Sequence, residues 1–357
     1  MTEKKGPLAG LRVVEFAGIG PGPHVAMLLA DLGAEVVRID REGAGVNNGV
    51  VERARHRVQV NVKSEEGQAF CRKAAAHADV LIEGFRPGVM ERLGLGPDEL
   101  LAANERLVYA RMTGWGQDGP LAQAAGHDIN YIAITGALHA IGRAGETALP
   151  PQNLVGDFGG GSMYCAFGIL AALYERERSG KGQVIDAAIV DGTTSLMSFF
   201  LGVQNTVRTT ERGKGLLGGG AHFYQCYECA DGREISLGSI EPQFYAELMQ
   251  RSGADPSLAE GQLNPANWEA NKEKLAALFK TQPAAHWVDL MEGTDVCFAP
   301  VLPLEEARNH PHMKARDAYV EHDGEWHTAP APRFDRTPGA VRSSDDQGEA
   351  VVDGWAN

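Results

Sequence analysis

Between Leu11 and about Asp191, short apolar runs alternate with helix-patterned segments, and this alternation limits the possible folds more than any other feature of the chain. "LRVVEF" predicts a strand, "PHVAMLLADLG" a helix and "AEVVRID" a second strand. "RVQVNVK" predicts a short strand, after which Ser64 caps a helix over "SEEGQAFCRKAAAHA". "DVLIEGF" and "LVYARMTG" are two further strands separated by the helix "PDELLAANERL". "SMYCAFGILAALYERERSGKG" predicts a long helix with a glycine exit that feeds the strand "QVIDAAIVD". Such a pattern builds an α/β fold with an open, Rossmann-like parallel sheet covered on both faces. Ligands of these sheets bind beyond the carboxyl ends of the strands.

The alternation gives a domain plan. Residues 1–200 form a large α/β domain, and the glycine-rich stretch ending in "GLLGGGAH" makes 201–222 a linker. Residues 223–305 form a small α+β domain, with strands "HFYQCYECA" and "REISLGSI" and helices near Pro242–Arg251 and Trp268–Thr281. Residues 306–357 return to the large domain, ending in a polar tail, "RSSDDQGEAVVDGWAN", expected to be loosely held.

Charge narrows the partners. With 47 acidic and 33 basic residues the net charge is −14, which argues against a broad nucleic-acid or anionic-membrane surface. An anionic ligand would need a local basic pocket. No membrane span is expected, because "FGILAALYERERSG" turns charged too early. "MTEKKGPLAG" lacks the apolar core of a secretory signal and "DGWAN" is no targeting address, so a cytoplasmic setting is expected. The five cysteines, Cys71, Cys165, Cys226, Cys229 and Cys297, read as reduced thiols. Cys226 and Cys229 make one CxxC without a second ligand pair nearby, so no metal is assigned and buried or half-buried hairpin thiols are expected.

The loop "AGIGPGPH" sits where many α/β proteins cradle a phosphate. Gly18 and Gly20 match two glycines of a dinucleotide fingerprint and Asp40 suits a ribose, but position 23 is proline instead of the third glycine. Pro21 and Pro23 also remove two N–H donors, which disfavours a nicotinamide enzyme and favours a tight strand-to-helix turn. Arg41, Lys63 and Arg86 each follow a predicted strand, and three cations on one sheet edge could converge on a multiply phosphorylated ligand.

Two segments carry candidate chemistry: "AGHDINYIA", with His127 and Asp128, and "NLVGDFGGGSM", with Asp157 before three glycines and a helix. Glycines there would let backbone approach a ligand, and a carboxylate at a helix start would be held in its charged form. A helix cap for Asp157 and a hydrogen-bonded loop residue for His127 are the ordinary alternatives, and the pattern alone leaves both open.

The ordered segments "GPGPHVAMLLADLGAEVVRIDR", "YARMTGWGQ", "GHDINY", "NLVGDFGGG", "GKGQVIDAAIVDG", "IEPQFY" and "DVCFAPVL" resemble the family III CoA-transferase superfamily, and within it the α-methylacyl-CoA racemases. The likeness runs through nearly the whole chain to "APAPRF". Carried over by motif, it implies catalytic roles for His127 and Asp157 and a place near the site for Glu241 of "IEPQFY". It implies CoA contacts at Arg41, at Val60, Asn61, Val62 and Lys63, at Arg86, and at Gly126, Asp128, Ile129, Asn130 and Tyr131. It also implies an interlocked homodimer with sites shared between subunits, an acyl-CoA thioester substrate and no further cofactor. Where the family reads "LDGGAPFY", this chain has "LGGGAHFY", with Gly218 for the aspartate and His222 for the proline.

The expected reaction is removal and return of the α-proton of a 2-methylacyl thioester through an enolate, with one acid/base group per face. His127 would serve the 2S face and Asp157 the 2R face, with backbone N–H groups around Asp128 at the thioester oxygen. The rival reading is a CoA-transferase of the same fold using Asp157 as nucleophile, against which the histidine of "GHDINY" speaks. A silent acyl-CoA binder and a nicotinamide dehydrogenase are the remaining alternatives.

Overall fold

The computed structural model describes residues 6–46, 48–207 and 209–357. They divide into two compact units: one made of residues up to Thr135, Gln152–Leu196 and His312–Asn357, the other of Gly136–Pro151 and Met197–Pro311.

In the first unit, β1 (Arg12–Phe16), β2 (Glu35–Asp40), β3 (Arg55–Gln59), β4 (Val80–Glu83), β5 (Val108–Thr113) and β6 (Val184–Ala188) form one parallel sheet. The order is β3-β2-β1-β4-β5-β6, which reverses between β1 and β4 and opens a crevice beyond their carboxyl ends. Helix α1 (Pro21–Asp31) joins β1 to β2 and α2 (Glu65–His77) joins β3 to β4, with the Ser64 hydroxyl accepting from Gly67 N–H as its cap. Helices α3 (Val89–Arg92) and α4 (Pro97–Ala103) precede β5. After β5 come α5 (Asp128–Ala133), then α6 (Ala137–Ala140) in the second unit. A π-helical segment, Leu154–Ser162, continues into α7 (Met163–Ser179), and α8 (Ile189–Leu196) follows β6.

The period of two along the strands sorts apolar side chains to two cores. Val13, Val36, Ile82 and Ala110 pack with α1 and α7, while Val14, Val37, Leu81 and Tyr109 pack with α2 and the C-terminal segment. β3 runs from Arg55 to Gln59 rather than over "RVQVNVK". Its charged residues are paired inside the sheet: Arg55 Nε lies 2.9 Å from Glu15 Oε2, and Arg57 reaches Asp40 Oδ2 at 2.8 Å. Arg38 completes the group, 2.6 Å from Glu15 Oε1 and 3.0 Å from Asp40 Oδ1.

Helical structure starts before the three glycines, at Leu154, so Leu154–Ser179 is a continuous 26-residue stretch long and apolar enough to cross a membrane by length and composition alone. This corrects the expectation that no apolar run approaches that length. Its inner face, with Cys165, Ala166, Ile169 and Ala172, is buried on the sheet, while Met163, Phe167, Leu170 and Tyr174 are exposed along the outer one.

The second unit contains α9 (Ser198–Val203) and an antiparallel sheet ordered β7 (Tyr224–Glu228), β8 (Glu234–Gly238), β9 (Phe298–Pro300). Helices α10 (Pro242–Ser252), α11 (Pro265–Phe279) and α12 (Ala284–Met291) pack on it around Phe223, Tyr245, Trp268, Phe279 and Trp287, and α13 (Leu304–Ala307) follows β9. Cys229 is buried, but Cys226 is exposed, because alternate residues of the hairpin strand face outward. The buried His222 ring bonds the Tyr245 hydroxyl at 2.8 Å, and its burial pushes the imidazole down to about 4.

After α14 (Pro311–Ala315), the hairpin β10 (Tyr319–His322) and β11 (Glu325–Thr328) and helix α15 (Gly348–Trp355) belong to the first unit. The tail is therefore not loosely held. Asp345 bridges to His56 beside β3, Val352 and Trp355 are buried, and the indole donates to Glu35 Oε2 at 2.6 Å. A Val and a Trp on one helical face outweigh the polar letters around them. Trp355→Ala should cost about 3–5 kcal/mol in denaturant unfolding, as for other buried aromatic truncations. Lys73→Ala, which removes only an exposed pair with Asp353, should cost under about 1 kcal/mol. Equal losses would mean that α15 contributes no core packing.

Candidate active site

A cavity of about 860 Å³ opens beyond the carboxyl ends of β1, β4 and β5. Its walls are the loop after β1, the run Ile82–Pro87, the end of β5 with Trp115, the segment Ala124–Tyr131, and Asn153 with Asp157. The loop "AGIGPGPH" is one of these walls. Gly20 takes φ 68° at the start of α1, and a Cβ there would stand 2.9 Å from Asp157 Oδ2. The loop is a tight turn whose glycine makes room for a carboxyl.

Asp157 lies inside the π-helical segment, in its first turn. Its N–H donates to Asp128 Oδ1 at 2.6 Å, and Asn153 Nδ2 stands 3.5 Å from its Oδ2. Burial pushes the Asp157 carboxyl above its ordinary range and the neighbouring Asp128 charge adds to this, while Asn153 and His127 oppose. This corrects the expectation of a carboxylate held in its charged form: desolvation and a like charge outweigh the helix start. The glycines after it also allow close packing within the protein, against Leu154 of the same segment and against Ile189 and Thr193 of α8. A Cβ on Gly192 of α8 would lie 1.8 Å from Gly160 O, and one on Gly160 would lie 2.3 Å from Thr193 Oγ1.

His127 caps α5 and is exposed at the cavity wall, its N–H donated to Asn130 Oδ1 at 3.1 Å. Tyr131 donates its hydroxyl to Gly126 O and meets Trp115 edge-on at 4.8 Å. Gly114 and Gly126 leave the room this ring needs, because a Cβ on Gly114 would fall 2.1 Å from it.

The cavity thus brings together His127, Asp157, Gly126, Asn130, Tyr131 and Arg86. Asp128 sits behind the wall against Asp157, and Ile129 is 42% exposed on the outer turn of α5. Arg41 directly follows β2, Asn61 to Lys63 turn the chain after β3, and Arg86 follows β4, so the three cations occupy one sheet edge. Val60 turns its side chain into the core and donates its N–H to Asp40 O, which leaves backbone as its means of meeting a ligand. Glu241 is exposed at the N-cap of α10 in the second unit. Asn153 is a residue the sequence reading misses. Its link to Asp157 is an i,i+4 pair, visible once the helix is known to begin at Leu154. His24 is another: its Nδ1 lies 2.6 Å from Ser162 Oγ and its ring packs 4.5 Å from Phe158, on the segment that carries Asp157.

One imidazole and one carboxyl on a shared cavity, with cations along the same edge, can move protons at a carbon of an anionic ligand. The chain matches the model of CoA-transferase family III over residues 8–347. It is 45% identical to the α-methylacyl-CoA racemase of Mus musculus, over 97% of this chain and 92% of the relative, and 43% identical to that of Homo sapiens, over 93% and 87%. Acetyl-CoA:oxalate CoA-transferase of Acetobacter aceti is 32% identical over 90% of this chain and 88% of the relative. Among solved structures, a CaiB/BaiF family protein from Brucella suis has the same fold, with a TM-score of 0.82 at 24% identity over 98% of this chain and all of that one. The sheet order, the cavity and these matches agree: the chain belongs to CoA-transferase family III.

Proposed function

We propose that this chain is a racemase of 2-methylacyl-CoA thioesters, with His127 and Asp157 as its two acid/base groups. The observation that carries the reading is that an imidazole on α5 and a carboxyl on the π-helical segment line one cavity. The relatives named α-methylacyl-CoA racemase support the substrate class. His127 takes the α-proton from one face of the acyl carbon and Asp157 returns one to the other, the flattened enolate lying between them. Burial and the nearby Asp128 charge raise the proton affinity of the Asp157 carboxyl, which favours its returning a proton as well as taking one. In this reading backbone N–H groups at the start of α5 hold the thioester oxygen, and Glu241 orients or tunes the imidazole.

Arg41, Lys63 and Arg86 serve the CoA phosphates. Among the described residues none of them makes an ion pair, whereas Arg38, Arg53, Arg55, Arg57, Arg111 and Arg176 all do. Asn61, Val62 and the backbone of Val60 line the approach, and CoA arrives with the substrate, so no further cofactor is invoked. The exposed apolar stripe of α7, Met163, Phe167, Leu170 and Tyr174, supports a homodimer, in which Glu241 reaches the site from the second subunit. Five free thiols suit a reducing, cytoplasmic setting, and the −14 charge suits neither nucleic acid nor an anionic membrane.

Deuterium exchange at C2 of separate 2R and 2S thioesters tests the assignment. His127→Ala should lose exchange chiefly from the 2S epimer and Asp157→Ala chiefly from the 2R, each by about 10²–10⁴-fold, with interconversion lost in both. Equal loss from both epimers, together with CoA transfer to a free carboxylic acid, would put the transferase reading with Asp157 as nucleophile first. Removing the charge of Arg41, Lys63 or Arg86 should raise KM for the thioester about tenfold or more per residue, since charge-assisted contacts contribute about 1.5–3 kcal/mol. An unchanged KM in Arg86→Ala would remove that residue from the site. Co-refolding inactive His127→Ala and Glu241→Ala chains should restore part of the activity through hybrid sites. Verified heterodimers without activity would exclude a shared site built from these two residues.

A further inference from the structure

Between the two proposed acid/base groups lies a third ionisable side chain that is not exposed to the cavity. Asp128 follows His127 in the chain and opens α5, yet its Oδ1 accepts the backbone N–H of Asp157 at 2.6 Å. The fit against that backbone is close: a Cβ on Gly156 would lie 2.2 Å from the same oxygen, so only glycine leaves room for the carboxylate. One side chain therefore joins the turn that carries the imidazole to the turn that carries the carboxyl.

We infer that Asp128 is a positioning residue for the reaction, setting the separation of His127 and Asp157 through the Asp157 amide and placing a negative charge beside the Asp157 carboxyl. The inference rests on the two-base reading above. It also assigns Asp128 a role other than the CoA contact that the resemblance implies.

The other groups around Asp157 do not supply either function. From α5, His127 opposes the effect of Asp128, and Tyr131 is spoken for by Gly126 O. On its own segment Asn153 is neutral and also opposes. The His24 ring of α1 packs on Phe158 and bonds Ser162, the last residue of the π-helical segment, and it has no part in the shift at Asp157. Asp191 of α8 acts on Asp186 of β6, which also faces Arg111 of β5, and Tyr164 of α7 lies beyond the glycines. Asp128 is thus the neighbour that raises the proton affinity of Asp157, after burial itself.

The sign of the expected effect follows. Proton removal by Asp157 needs its ionised form, so 2R exchange is lost as pH falls through its raised value. Asp128→Asn keeps an oxygen that can accept the Asp157 N–H and deletes the charge. The acid limb of 2R exchange should therefore move to lower pH by roughly half a pH unit or more. Asp128→Ala deletes both and should show the same displacement with a further drop of about tenfold in the plateau rate, which Asp128→Asn rescues. The limb for 2S exchange, which begins at His127, should move less than the 2R limb in both variants. A 2R limb in Asp128→Asn coincident with the parent's, in a protein whose Asp157→Ala variant shows the expected 2R bias, would overturn the positioning role and leave the two-base reading standing. Loss of that bias in Asp157→Ala would instead overturn the two-base reading. Equal rates for Asp128→Asn and Asp128→Ala at the plateau would show that the hydrogen bond to the Asp157 amide sets nothing.

Discussion

The site depends on how closely two pieces of backbone approach each other. Gly160 and Gly192 let the π-helical segment and α8 touch without side chains between them, and any Cβ at Gly192 would fall inside the Gly160 carbonyl. That contact fixes the segment against the sheet, and the wider π turn carries Asp157 toward the cavity. Gly156 and Gly20 then admit Asp128 from one side and the Asp157 carboxyl from the other. Four glycines at three contacts therefore decide where one carboxyl sits. A larger residue at any of them would move the Asp157 carboxyl itself, rather than merely loosen a loop.

A second constraint acts on the opposite flank of the sheet. Glu15, Arg38, Asp40, Arg55 and Arg57 put charges into neighbouring positions of β1, β2 and β3, where each finds a partner of opposite sign. Arg55 also donates to the carbonyl of Pro23, so the group ties the edge strand β3 to the first turn of α1. Breaking such a buried set by removing one member strands its partner without solvent, a cost of about 3–5 kcal/mol. The turn after β1 thus has a rigid floor, and Asp157 rests against its other side.

Much of this was legible in the letters. The alternation of strands and helices gives the parallel sheet and the edge on which Arg41, Lys63, Arg86 and the His127 and Asp157 segments fall. What stayed hidden depends on tertiary pairing. β3 is hard to locate because Arg55 and Arg57 break an apolar pattern that only their partners on β1 and β2 make sense of. Asp157 reads as a charged helix start because neither its burial nor the nearness of Asp128, 29 residues earlier, is visible along the chain. The final helix is masked by acidic letters, although Val352 and Trp355 already share one of its faces. Glu241 is recognisable by motif alone, since nothing local sets it apart from any other exposed helix cap.

The three-part make-up of the first unit has a consequence for how the chain is made. Once Leu196 has been synthesised, residues 197–311 must follow before the stretch from His312 that completes that unit can emerge. At typical elongation rates this is an interval on the order of ten seconds. Throughout it β3 is an open edge strand, because Arg57 N–H and Arg55 O have yet to meet Asp345. The nascent sheet thus presents unpaired backbone while the second unit, whose later and larger part is one continuous stretch, can already fold. Synthesis, not only stability, places a premium on the last forty-odd residues: they close the edge through which one growing chain could pair with another.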